Sequence, residues 1–163
     1  LYELYGDTRN RIEHLGLPTA QHIDDLAKYR FVCVPQPIFL AELGENFIHA
    51  LDEYYLNQCY PAKSLLAKDI PLAYSTDAPV VKDINPWRGI KAAVTRSTSA
   101  GNFIAAHEAV SVEDALFAYT MGSAYAEQKE MVKGSIEKGK LADFIILNQN
   151  PLAVAAAEIE TVH

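Results

Sequence analysis

The sequence predicts an α/β fold built on a parallel sheet, and three observations carry that prediction. Short apolar runs without polar alternation recur along the chain, the pattern of strands buried on both faces. Segments with helical periodicity separate them, and strands alternating with helices imply parallel connections. Two of the expected strands end abruptly in a residue able to do chemistry, His14 and Asp77.

Taken in order, Arg11 to His14 is a short first strand. Thr19 caps a helix running to about Tyr29, with Ile23, Leu26 and Ala27 at helical spacing. Phe31 to Val34 is a continuous apolar run stopped by Pro35. Residues 42–60 hold no clear strand and carry Tyr54, Tyr55 and Tyr60. They read equally as an active-site loop or as an extra helix that packs. Pro61 opens a helix with Leu65 and Leu66 turned inward, and Pro86 opens one carrying Ile90, Ala93 and Val94. Between them, Pro71 to Asp77 is apolar and then polar, a third strand. Ser111 and Asp114 have the spacing of a capping box, with Asp in place of the usual Glu or Gln, ahead of a helix over Ala115–Glu127.

The punctuation changes near Met131. Lys133 to Lys140 is rich in Gly and Lys, and Gly139 suits a tight turn. A hairpin into a fourth strand, Asp143–Leu147, is expected, so residues 1–130 and 131–163 read as two units.

The chain has 163 residues, 50% of them hydrophobic, and a formal net charge of −7. This is one soluble domain's worth of core. The acidity excludes nucleic acid and anionic membranes as expected partners, because both need clustered Lys and Arg. No run approaches the roughly 18 apolar residues of a membrane span. Cys33 and Cys59 are too few for a disulfide framework and read as buried hydrophobes, which fits a reducing, cytoplasmic setting. Leu1 in place of Met, and a stop at His163 as a β-prone segment begins, are expected of a chain cut at both ends.

In a parallel sheet all strand C-termini lie on one face, where ligands bind. His14 and Asp77 therefore can converge. An imidazole and a carboxylate suit zinc and similar divalent ions, but a catalytic zinc usually takes three protein ligands. On residue types alone, a lone His and a lone Asp are more often capping or hydrogen-bonding residues than ligands. Gln36 follows the second strand and could touch substrate. Lys63, His22, His49, His107 and His163 read as solvated, and Trp87 as a packing anchor. A nucleotide-binding α/β domain lacks its Gly-rich loop here.

The surrounding words add a resemblance. Arg11-Ile12-Glu13-His14-Leu15 resembles the strand-end His motif of the amidohydrolase superfamily. The subgroup is amidohydrolase family 3, which includes enzymes similar to N-substituted formamide deformylase. Ser75-Thr76-Asp77-Ala78-Pro79-Val80 resembles its last-strand motif, with Thr76 replacing the usual Ser. Gly89–Arg96, Ala118–Ala126 and Lys133–Phe144 are similar to the elements that follow, in family order.

That resemblance implies the C-terminal part of a (β/α)8 TIM-like barrel, strands six to eight, plus part of a small β-sandwich. It implies His14 as a metal ligand, and Asp77 as metal ligand and catalytic general base, then acid. It implies a divalent metal, zinc first, and hydrolysis of a carbon–nitrogen bond, non-peptide and amide-like, in a small molecule. A full barrel takes about 250 residues. The remaining ligands are therefore expected outside these residues, with activity in the parent protein and the isolated chain inactive. Unpaired strand edges lead us to expect an oligomer or association with a missing N-terminal part. The alternative is a non-catalytic half-barrel that serves as a subunit or interaction module.

Overall fold

The computed structural model describes Gly6 and residues 8–163. Residues 1–5 and Asp7, part of the expected first unit, lie outside the described residues. Strand β1 (Arg11–Glu13) pairs in parallel with β2 (Val32–Val34), Ile12 opposite Cys33. A third segment, 71–75, lies along the other edge of β2. Cys33 N–H donates to Pro71 O, Ala73 N–H to Cys33 O, and Ser75 N–H to Pro35 O. These three parallel segments follow chain order, as expected. Only an isolated bridge, Cys33 to Leu72, forms on the third, so the predicted strand over 71–77 is shorter than its apolar run.

Helix α1 (Ala20–Lys28) returns the chain from β1 to β2. Its capping box joins Thr19 to His22, whose ring accepts from Thr19 N–H, which gives an exposed His a purely local job. Residues 42–60 resolve toward the helical reading. Helix α2 (Ile38–Ala50) begins straight after Pro37 and is followed by the short α3 (Glu53–Leu56). Helix α4 (Ala62–Leu66) starts one residue later than expected, with Pro61 outside it. No side chain of its own caps α4; the buried Glu108 carboxylate accepts from the backbone N–H and hydroxyl of Ser64 instead. Helix α5 (Pro86–Thr95) opens on Pro86 and buries Trp87, Ile90 and Ala93.

The expected helix over Ala115–Glu127 is interrupted. Helix α6 (Val112–Phe117) does start on the Ser111–Asp114 capping box. One wider π turn (Ala118–Gly122) follows, then α7 (Ser123–Ala126). The interruption has a cause. The Ala118 carbonyl accepts from Tyr74 N–H of the third segment and from the Ser123 hydroxyl, which also donates to Tyr74 O. The widened turn spends a helix carbonyl on the free edge of the sheet. Gly122 is required there, because a Cβ would stand 2.2 Å from Leu72 O.

The fourth strand expected at Asp143–Leu147 does not form. No described segment pairs with it, and Phe144, Ile145 and Ile146 are exposed. A strand exists only through a neighbour, and an apolar run alone cannot supply one. Gly139 does take the left-handed conformation of a turn (φ +98°). Beyond it the chain comes back to the main body. A 3₁₀ turn (Ala156–Thr161) lies on α5 and buries Ile159 and Val162 completely.

Candidate active site at three strand ends

The parallel segments put His14, Gln36 and Ser75 at the same edge of the sheet, and hydrogen bonds join them. His14 Nδ1 lies 2.8 Å from Gln36 Oε1. Gln36 Nε2 donates to Val34 O and to Ser75 Oγ, each at 2.9 Å. His14 is also tied through its backbone, whose N–H donates to Val34 O at 3.1 Å. Its left-handed φ of 67° then turns the chain out of the ladder. Gln36 stands between two prolines, 1% exposed, and its carbonyl accepts from Phe39 N–H in the first turn of α2. Prolines on both sides restrict the backbone that carries this amide.

One wall of the site is aromatic. The His14 ring stacks on Phe39 (centroids 6.2 Å apart, planes at 23°), and Phe39 meets Tyr60 edge-on. Burial pushes the Tyr60 phenol up to about 12, and the charges of Cys59 and Asp77 act in the same direction. Tyr60 is held from behind by Arg96. That guanidinium, 1% exposed, donates to the carbonyls of Cys59, Tyr60 and Ile104. Asp77 itself is half-buried, in a left-handed turn (φ 55°) closed by Val80 N–H donating to Asp77 O.

Among the described residues no group of three or more His, Cys, Asp or Glu side chains gathers tightly enough to hold a metal ion. The strand ends carry one imidazole, His14, and, two residues beyond Ser75, one carboxylate, Asp77. Cys33 and Cys59 are not among them. Both are free and buried, and burial pushes the Cys33 thiol up to about 12 and raises Cys59 as well. A thiol held neutral is a poor ligand and a poor nucleophile. His22, His49, His107, His163 and Lys63 are all exposed, and Trp87 is buried, as their sequence contexts suggested. Gln36 is the residue whose part sequence reasoning missed. The available signal was a polar residue isolated in the apolar stretch from Val32 to Leu40.

Comparison with known proteins bears on this arrangement. The profile described as amidohydrolase family matches residues 3–163. The chain belongs to the amidohydrolase family. It is 36% identical over 151 residues to Protein LONG AFTER FAR-RED 3 of Arabidopsis thaliana, covering 88% of this chain and 25% of that protein. It is 28% identical over 156 residues to N-substituted formamide deformylase of Arthrobacter pascens, covering 94% and 28%. Among solved structures it resembles an uncharacterized metal-dependent hydrolase from Pyrococcus horikoshii OT3, with 28% identity and a TM-score of 0.81. That match covers 96% of this chain and 32% of the other. This amidohydrolase-family chain thus spans between 25% and 29% of the length of the curated relatives it matches. The described residues include no helix long and apolar enough to cross a membrane.

Proposed function

We propose that this chain forms strands six to eight of a (β/α)8 barrel in a metal-dependent hydrolase, with residues 1–130 in the barrel and 131–163 in a composite β-sandwich. The reaction is hydrolysis of a carbon–nitrogen bond other than a peptide bond, in a small amide-like molecule. The observation that carries this reading is the convergence of three successive parallel strand ends on His14, Gln36 and Ser75, two residues before Asp77. Similarity to an amidohydrolase and to a metal-dependent hydrolase supports a hydrolase and a metal.

In this reading His14 and Asp77 are two of the ligands of a divalent metal, zinc first, and further ligands come from outside these residues. An imidazole and a carboxylate are chemically suited to that ion. When bound, the metal lowers the pKa of water and polarises a carbonyl. Asp77 accepts the proton of the attacking water and returns it to the leaving nitrogen. Phe39 and Tyr60 keep bulk water from one side of the imidazole.

The reading also assigns a partner to β1, which has one strand neighbour among the described residues, β2. An open apolar depression of about 450 Å³ beside it is lined by Ile12, Leu15, Leu26, Tyr29 and Phe31. A preceding strand and helix of the same barrel, in the same or an associated polypeptide, would cover it. A cytoplasmic location, suggested by two buried reduced cysteines, belongs to this proposal too.

The test is made on the complete gene product. Divalent metal content and hydrolysis of a panel of N-substituted amides are measured beside Asp77→Asn. We expect kcat to fall about 10²–10⁴-fold with folding intact. Full activity of D77N would sink the assignment and leave the chain as a non-catalytic module.

A further inference from the structure

We propose that Gln36 is the positioning residue of this site, fixing the tautomer and direction of the His14 ring so that Nε2 carries the lone pair offered to the metal. The inference rests on the metal-site reading above and adds a residue to it.

The argument runs along the hydrogen bonds. The Val34 carbonyl can only accept, so the Gln36 group 2.9 Å from it must be the amide NH₂. The second hydrogen of that NH₂ goes to Ser75 Oγ. The amide oxygen is thereby turned toward His14 Nδ1, 2.8 Å away. That oxygen has no hydrogen to give, so the hydrogen between them sits on Nδ1. A neutral imidazole has one N–H, and with Nδ1 protonated its lone pair must be on Nε2.

Three further features hold the arrangement in place. Gln36 is buried and set between Pro35 and Pro37, so its amide has little freedom to flip. The Val34 carbonyl that orients the amide also accepts the His14 backbone N–H, so one atom sets both the ring's attachment and its partner. Ser75 stands two residues before Asp77, so the same amide couples the two segments that carry the proposed ligands. A neutral amide does this without adding a buried charge. Partners of this kind behind a ligand imidazole typically change metal affinity about 10–100-fold when removed.

The first experiment is a ¹⁵N–¹H spectrum of the His14 ring in the complete, metal-stripped gene product at a pH where the ring is neutral. We expect Nδ1 in the hydrogen-bearing, pyrrole-type range and Nε2 in the pyridine-type range. In Gln36→Leu the two tautomers mix, and Co²⁺ affinity falls about 10–100-fold. Gln36→Glu keeps an acceptor for Nδ1–H, so the ring keeps its Nδ1–H tautomer in the same spectrum even though the Val34 carbonyl loses its donor, which a merely structural role would not predict. A hydrogen on Nε2 in the unmodified protein overturns the proposal, and that measurement stands even where Gln36→Leu does not fold. Unchanged Co²⁺ affinity in a folded Gln36→Leu overturns it as well. Failure of the underlying reading looks different: His14→Ala would then bind Co²⁺ as tightly as the unmodified protein, whatever the tautomer.

Discussion

Strand β2 and residues 143–147 are alike in composition and opposite in fate. Val32-Cys33-Val34 is buried on both faces, with a parallel neighbour on each edge. Phe144-Ile145-Ile146 is at least as apolar, yet it lies exposed outside any ladder, Ile146 at 87%. The difference is neighbours. A strand needs its N–H and C=O groups answered from both sides before its side chains can be buried. The third segment makes the same point in the middle of the range, because its outer edge is answered by a helix carbonyl, Ala118 O.

The sharpest way to break the ordered region is at that helix contact. Gly122→Val would push a side chain into Leu72 O, a backbone atom that cannot swing away. We expect a loss of about 3 kcal/mol, the upper end of overpacking, read from urea unfolding. A paired measurement sharpens the contrast between the two apolar runs. Val32→Ala should cost roughly 2 kcal/mol from lost burial and the cavity left behind. Ile146→Ala in this chain should stay within about 0.5 kcal/mol of zero. If the same Ile146 change costs more than about 1 kcal/mol in the complete gene product, 143–147 has found its strand partner there.

A further expectation concerns pH dependence, which is silent at neutral pH. The Cys33 thiol of β2 titrates at about 12 in the fold against an ordinary 9.0. The unfolded chain therefore releases this proton first as pH rises. The Cys33 contribution is fully present below pH 9 and is lost progressively between 9 and 12. A thiol reagent at pH 8 should leave Cys33 unmodified until the protein unfolds. Rapid labelling of the native protein would show that β2 opens locally.

Much of the candidate site was legible in the sequence because its parts end strands. His14 follows the short strand over Arg11–Glu13 and Ser75 lies in the run just before Asp77, and parallel connections bring such ends to one edge. Gln36 was seen but not understood, since its meaning depends on Val34, His14 and Ser75, the last 39 residues away from it. The two-way reading of residues 42–60 had a similar cause. Helix α2 begins beside Pro37, and its amphipathic face is defined by what it packs on, α5.

By itself the sequence determined the α/β alternation, the order of the three parallel segments, the Thr19 and Ser111 caps, the Pro86 helix start and the amidohydrolase-family membership. All of these rest on local patterns or on motif words read in order. The tertiary structure alone decided that Ala118–Gly122 widens to serve Tyr74, that Gln36 joins three strand ends, that Arg96 is spent on three carbonyls, and that 143–147 remains unpaired. In each case the deciding interaction is a hydrogen bond, made or missing, between groups far apart in the chain, and such a partner becomes visible only when the backbone has brought it near.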